Sequence, residues 1–270
     1  GGDKHSLAKE FIKIQPLYHD SNKIWWIWNF NKYKWEKTDE VDIMILLNNA
    51  SEIPLGIVKQ TEWNEIIRAL SLAAREFKPK QAKDTWIQFK SKIYDIENDE
   101  IFDASPKYFI TNPIPWEMGE SEETPIIDKL FKEWIYKEGI QDESYVETLK
   151  EITAYCCLPS MPIQRVFAFI GRGANGKSTY LRFLERFLGF SNITSTDLDT
   201  LARSNFESSK LHRKLAVFIG EVDKSVFKRT TTLKKITGDD LMRIEYKGKD
   251  SFEVHLYSKP LIACNTLPET

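Results

Sequence analysis

Hydrophobic residues change their spacing on the two sides of a glycine-rich segment at 171–178. Before it, residues 166–170 form a continuous apolar run, which is typical of a buried strand in a parallel sheet. After it, apolar residues recur at helical spacing over 180–188, and Gly189 is placed to end that helix. The pattern therefore predicts a strand, a loop and a helix in that order.

Further apolar segments follow in the C-terminal part of the chain. Residues 214–219 and 260–264 each have the pattern of a buried strand, and the chain between successive strands is long enough for βα crossovers. Residues 243–246 and 251–256 predict an antiparallel hairpin whose tip lies at 247–250. This part is thus predicted to be an α/β domain with a parallel sheet.

The N-terminal half has a more mixed pattern, which predicts a smaller α+β accessory domain followed by a helical region. The expected elements are helices over 5–19, 39–49 and 62–76, an aromatic hairpin over 23–37, short strands within 86–110 and helical structure over 125–158. We predict three regions, namely an accessory domain at 1–111, a helical linker at 112–163 and an α/β core at 164–270.

Composition is that of a globular protein, with 41% hydrophobic and 29% charged residues. No run of 18 apolar residues and no apolar N-terminal segment occurs, so neither a transmembrane helix nor a signal peptide is expected. Cys156, Cys157 and Cys264 lack metal-ligand spacing, and the adjacent pair is predicted to be buried thiols. These features predict an intracellular, cytoplasmic protein with no membrane partner.

The distribution of charged residues and the cluster of tryptophans can each be interpreted in two ways. Residues 201–250 contain twelve Lys and Arg against seven Asp and Glu, although the whole chain has a net charge of −2. Such a local excess suits DNA binding, and a solvated charged face explains it equally well. The tryptophans within 25–35 could stack on single-stranded bases, but we expect them to form the core of a small sheet.

Residues 171–178 fit the phosphate-binding pattern G-x-x-x-x-G-K-[ST]. Glycines let the backbone approach phosphates, and the N–H groups at the start of the following helix face the anionic oxygens. Lys177 is expected to contact the β- and γ-phosphates, and the Ser178 hydroxyl to complete a Mg²⁺ shell. The segment therefore predicts ATP and Mg²⁺ as cofactors, bound by Gly171, Gly173, Ala174, Asn175, Gly176, Lys177, Ser178 and Thr179.

Polar residues at the ends of the later segments complete the candidate site. Glu221 could polarise the attacking water and bind Mg²⁺ directly or through water, and Asn265 could contact the γ-phosphate. The alternatives are an ordinary acid at a strand end and an asparagine that starts a turn. Lys247 and Lys249 at the hairpin tip could bind DNA phosphates or form a solvated turn.

In combination these segments resemble superfamily 3 helicases of the poxvirus, phage and plasmid primase-helicase type. The resemblance rests on residues 171–179, 219–221, 233–240 and 263–268, in this order. It implies an AAA+-like P-loop core, a homo-oligomeric ring that is a hexamer in the full-length protein, and ATP bound between neighbouring subunits. It also implies single-stranded DNA in a central channel.

The same resemblance assigns roles to individual residues. Lys177 and Ser178 would bind phosphate and metal, Glu221 would activate water, and Asn265 would sense the γ-phosphate. Lys247 and Lys249 would grip DNA.

The resemblance further implies a replication protein encoded by a virus, phage or plasmid. Gly220 departs from the family pattern, since many nucleoside triphosphatases have an acid there. The family's arginine finger lies beyond the position of Thr270, so we expect a fragment of a longer chain, with a primase region upstream, that binds ATP but hydrolyses it poorly. The hypothesis is an ATP-dependent DNA helicase; the alternatives are an ATP-switched origin or loader module and, with less support, a P-loop kinase.

Overall fold

The polypeptide divides into two units in a computed structural model. Unit 1 consists of Gly1–Ala82 and Ala104–Thr111, and unit 2 of Lys83–Asp103 and Asn112–Thr270. The structure describes residues 3–51, 58–137, 139, 142–171, 176–220, 230–238 and 240–265.

Unit 1 combines three helices with a small antiparallel sheet. Three strands form this sheet in chain order, and the last two strands of the unit form a short parallel pair. In chain order the elements are α1 (Lys4–Ile14), β1 (Leu17–His19), β2 (Trp25–Asn29), β3 (Lys34–Thr38), α2 (Glu40–Ala50), α3 (Gln60–Glu76), β4 (Lys80–Gln81) and β8 (Tyr108–Phe109).

Tryptophan side chains form the core of unit 1. Trp25, Trp26, Trp28 and Trp35 are all buried, and the Trp35 indole N–H donates to the Tyr108 carbonyl at 3.0 Å. Burial of rings of this size supplies much of the apolar contact that a small unit needs. The expectation that residues 25–35 form a structural core is therefore confirmed.

The first helix is shorter than predicted. Helix α1 ends at Ile14, whereas the pattern indicated a helix over 5–19. Pro16 disfavours helical geometry at the preceding residue, and the following residues pair with β2 instead. The apolar residues from Leu17 onward thus belong to a strand.

Unit 2 contains a four-stranded parallel sheet, two small antiparallel sheets and six helices among the residues described. Its elements are β5 (Trp86–Phe89), β6 (Lys92–Asp95), β7 (Glu100–Asp103), α4 (Pro125–Lys137), α5 (Ser144–Cys156), β9 (Phe167–Ile170), α6 (Lys177–Leu188), a 3-10 turn (Phe190–Asn192), β10 (Ile193–Thr196), α7 (Leu198–Arg203), α8 (Asn205–Ser209), β11 (Ala216–Ile219), α9 (Thr230–Thr237), β12 (Leu241–Ile244), β13 (Phe252–His255) and β14 (Lys259–Cys264).

The parallel sheet has the strand order β10-β11-β14-β9. All three pairings are parallel, so the prediction of a parallel sheet in the C-terminal part is confirmed. Strands β11 and β14 are central and largely buried, as their apolar runs indicated. Strand β9 lies at the edge and alternates between half-buried and exposed residues, so the expectation of a fully buried strand there is wrong.

Unit 2 also includes the β5-β6-β7 sheet, although the sequence pattern predicts that these residues belong to the accessory domain. The sheet is joined to the rest of unit 2 by a bridge between Phe89 and Ile114. Ile87 and Ile114 share a buried cluster with Phe131 and Leu184. The predicted helical stretch over 125–158 is two helices, α4 and α5.

No helix in the described part of the chain is both long enough and apolar enough to span a membrane.

Candidate nucleotide-binding site

The candidate site lies where β9 leads into α6, at one end of the parallel sheet. Strand β9 ends at Ile170, and α6 begins at Lys177. The Gly171 amide donates to the Cys264 carbonyl at 3.2 Å, which ties the start of the loop to the end of β14. Gly173, Ala174 and Asn175, which the motif also predicted, lie outside the described residues.

Gly176 is held in a conformation that few other residues adopt. Its φ is +92°, in the left-handed region, where a Cβ would clash with its own backbone. In addition, a Cβ at this position would lie 2.6 Å from Cγ of Trp134 on α4. Backbone strain and side-chain packing therefore both require glycine here, and only the first requirement is visible in the motif.

Lys177, Ser178 and Thr179 occupy the first turn of α6. Helix α6 has 12 residues, and its N-cap Gly176 has no side chain that could cap the N–H groups of that turn, which lack acceptors within the helix. The Lys177 ammonium donates to the carbonyl of Gly171, the residue that follows β9. The N–H groups at the start of the helix, the helix dipole and the ammonium together make an anion-binding environment, which fits a polyphosphate.

Tyr180 anchors α6 against α5. Its hydroxyl lies 3.0 Å from Thr153 Oγ1 and donates to the Leu149 carbonyl at 3.0 Å. The ring is buried, and this burial raises the pKa of the phenol. Leu184, one turn further along α6, is fully buried. The burial of Tyr180 and Leu184 therefore fixes the first turns of α6 against the core of unit 2.

The other two predicted strand ends lie at the same end of the sheet. Ile170 at the end of β9 is in register with Cys264 of β14, so Asn265 follows directly beside the loop and is exposed. Strand β11 ends at Ile219, in register with Ile262. Glu221 lies two residues further on, outside the described residues.

Of the two predicted Mg²⁺ ligands, Ser178 and Glu221, only Ser178 lies among the described residues. No group of three or more His, Cys, Asp or Glu side chains in the described residues could hold a metal ion. A hydroxyl at a helix N-terminus beside phosphate oxygens is a donor that suits Mg²⁺. Mg²⁺ held by Ser178, by phosphates and by Glu221 stays a prediction.

The predicted hairpin is formed by β12 and β13, whose register pairs Ile244 with Phe252. Lys247 and Lys249 lie exposed at its tip on either side of Gly248, whose φ is +75°. Tyr246 lies between the end of β12 and the tip, and its hydroxyl forms a 2.6 Å hydrogen bond with His212 Nδ1. Sequence reasoning found the tip and missed this anchor, because 34 residues separate the two partners.

A cavity of about 250 Å³ opens beside the loop. Helices α4 and α5 form one wall, and β9 with the first residues of α6 forms the other. The lining residues include Trp134, Tyr145, Leu149, Ile152, Ile170 and Lys177. The sequence did not predict this cavity, because its walls come from segments that are far apart in the chain and local patterns do not show that they pack together.

Lys259 at the start of β14 is fully buried. Its ammonium donates to the Leu158 carbonyl and lies 5.4 Å and 5.7 Å from the ring centroids of Tyr155 and Tyr257. Burial lowers the pKa of Lys259 to about 8. The neighbouring Cys156 and Cys157 are buried free thiols, as predicted, and burial raises the pKa of each to about 12.

Comparison with known proteins supports the fold. Residues 169–270, less than half of the chain, match a model described as "Family of unknown function (DUF5906)". No curated protein matches the chain.

Solved structures of the NrS-1 C-terminal region resemble the chain along almost its whole length. An apo A form has a TM-score of 0.65 at 15% identity, covering 98% of this chain and 58% of that one. The apo structure of residues 305–718 has a TM-score of 0.64 at 14% identity with the same coverage. The chain thus spans about 58% of the length of these structures, and at such low identity the likeness shows a shared fold.

Proposed function

We propose that this protein binds ATP with Mg²⁺ at the β9–α6 loop and works as an ATP-dependent DNA helicase of a replication protein. The observation that carries the proposal is the placement of Gly176 and Lys177 at the start of α6, next to the strand that leads to Asn265. A phosphate group at this position would face helix N–H groups and an ammonium at once.

The residues of the site divide the work of hydrolysis in this proposal. Lys177 would hold the β- and γ-phosphates, and Ser178 would hold Mg²⁺, which neutralises charge on the transferred phosphoryl group. Glu221 would orient the attacking water as a base. Asn265, at the end of β14 beside the loop, would contact the γ-phosphate and report its loss to the strand.

DNA contact is assigned to the tip of the β12–β13 hairpin. Lys247 and Lys249 are exposed there, and the segment 201–250 has an excess of basic residues. Phosphate contacts by lysine are independent of base sequence, which suits a motor that moves along single-stranded DNA. In the full-length protein we propose a hexameric ring of identical subunits, with the hairpins facing the channel.

Similarity to the NrS-1 C-terminal region supports the fold that this proposal needs, and the sequence resemblance to superfamily 3 helicases supports the activity. The proposed setting is the replication of viral, phage or plasmid DNA.

The experiment compares wild-type protein with Lys177→Ala and Asn265→Ala. We expect wild-type protein to bind ATP with Mg²⁺ by calorimetry and Lys177→Ala to lose binding. In the full-length protein, we expect Asn265→Ala to bind ATP while losing DNA-stimulated hydrolysis. Lys129→Ala, an exposed lysine on α4, is the control and should behave as wild type.

Each competing function gives a different result in the same assays. Hydrolysis that is stimulated by single-stranded DNA without strand separation of a forked duplex would favour a loader or switch. Full ATP binding by Lys177→Ala would contradict the proposed site.

A further inference from the structure

We infer that the cavity between the α4–α5 helices and β9 receives the nucleobase of the bound nucleotide. This inference rests on the proposed function, since it concerns the same ligand. The cavity is continuous with the phosphate-binding end, because Gly176 and Lys177 form part of its wall. A nucleotide whose phosphates lie at the start of α6 can therefore extend into it.

The chemistry of the remaining wall suits an aromatic base. Trp134, Leu149 and Ile152 line the cavity with apolar surface, and the ring of Tyr145 stands at its rim, 48% exposed. Aromatic and aliphatic side chains bind a nucleobase by stacking on its faces and burying them. Such binding does not depend on the hydrogen-bonding groups at the edge of the base. Ile170, 40% exposed on β9, would be covered by the same ligand.

The volume of the cavity fits a nucleobase better than a complete nucleotide. Sites that enclose a complete small molecule measure about 300–1,000 Å³. At about 250 Å³ this cavity accommodates the planar part of a nucleotide and leaves the phosphates outside, at the helix terminus.

Helices α4 and α5 would therefore form part of the nucleotide-binding site. Trp134 contacts the loop glycine and lines the cavity, and α5 is joined to α6 through Tyr180. Helices α4 and α5, which precede the phosphate-binding segment in the chain, would then contact the nucleobase directly.

The test separates the base from the phosphates by using ATP and tripolyphosphate as probes. Calorimetry with Mg²⁺ measures both affinities in wild-type protein, in Tyr145→Ala and in Leu149→Ala. We expect each variant to weaken ATP binding about five- to tenfold, in line with the loss of one stacking or packing partner, and to change tripolyphosphate binding less than twofold. The wild-type protein should bind ATP more tightly than tripolyphosphate.

A matched control is Tyr136→Ala, which removes an exposed tyrosine of α4 outside the cavity. It should leave both affinities unchanged, and circular dichroism verifies that all variants are folded. Equal wild-type affinity for the two probes, or unchanged ATP affinity in both cavity variants, would overturn the inference.

Failure of the proposed function has a different signature. If Lys177→Ala abolishes binding of both probes while the cavity variants bind ATP normally, the phosphate site stands and the base lies elsewhere. If wild-type protein binds neither probe, the proposed function fails and this inference with it.

Discussion

Trp134 of α4 lies directly against Gly176 of the candidate phosphate-binding loop, so close that a Cβ on the glycine would be 2.6 Å from the indole Cγ. The N-cap residue of α6 is therefore packed against the helical region that precedes it in the chain. The contact also means that the loop glycine is constrained by a side chain 42 residues away, in addition to its own φ of +92°.

Gly176→Ala should be costly for two separable reasons. A non-glycine residue at positive φ costs about 1–2 kcal/mol, and displacement of Trp134 adds an overpacking cost of about 1–3 kcal/mol. We expect urea unfolding to show the sum of both costs and calorimetry to show loss of ATP binding.

A matched control isolates the backbone cost. Gly248 has a φ of +75°, and a Cβ there would meet nothing within 4 Å, so Gly248→Ala should show the backbone cost alone. Adding Trp134→Ala to Gly176→Ala should remove the overpacking part. Equal destabilisation by the two glycine substitutions would contradict a packing role for Trp134.

Gly176 illustrates which features of the site could be predicted from the sequence and which could not. The strand, the helix and the glycine follow from local spacing, and the parallel sheet follows from apolar runs with long connections. The contact with Trp134 depends on how two distant helical segments pack, which no local pattern encodes. The edge position of β9 was missed for the same reason, since Ile170 has a fully apolar context in sequence and is 40% exposed in the fold.

The hairpin lysines give a prediction about DNA. Lys247→Ala combined with Lys249→Ala should weaken binding of single-stranded DNA and leave ATP affinity unchanged. Two lost phosphate contacts should also reduce the salt dependence of binding, with the slope of log K against log salt falling by about 1.4. Fluorescence anisotropy at several salt concentrations measures both effects.

The control for this pair is Lys129→Ala combined with Lys137→Ala on α4. It removes the same charge from another surface of unit 2, so it tests for a non-specific effect of net charge. An unchanged salt slope in the hairpin variant would argue against DNA contact by the tip.

The hydrogen bond between His212 and Tyr246 predicts that the hairpin tip is positioned by its contact with His212. Tyr246→Phe removes the hydroxyl and should cost about 1 kcal/mol in the free energy of unfolding. It should also speed amide exchange within residues 245–251 and weaken DNA binding by less than the lysine double variant. Tyr136→Phe, on α4, should leave exchange in the hairpin unchanged; a similar effect of both substitutions would exclude a specific anchor.

Buried Lys259 predicts an unusual dependence of stability on pH. Its pKa is lowered from 10.5 in the unfolded chain to about 8 in the fold, so between these values the unfolded state binds more protons. Stability linked to this group should therefore rise with pH from about 8 towards 10.5, with a slope of up to about 1.4 kcal/mol per pH unit.

Cys156 and Cys157 act in the opposite direction at higher pH. Their pKa values are raised from 9.0 to about 12, so above pH 9 the unfolded thiols ionise first and stability falls. The contribution of Lys259 is isolated by comparing wild-type protein with Lys259→Met, since both contain the two thiols.

We expect urea unfolding at pH 7.5, 8.5 and 9.5 to show that wild-type protein gains stability relative to Lys259→Met as pH rises. The physical reason is that the charged ammonium is buried at low pH with a single carbonyl and two aromatic rings as its partners in the structure, whereas the neutral amine avoids that cost. Lys129→Met provides the exposed control and should show no such trend. A constant difference between wild-type protein and Lys259→Met across this range would mean that the side chain keeps an ordinary pKa in the fold.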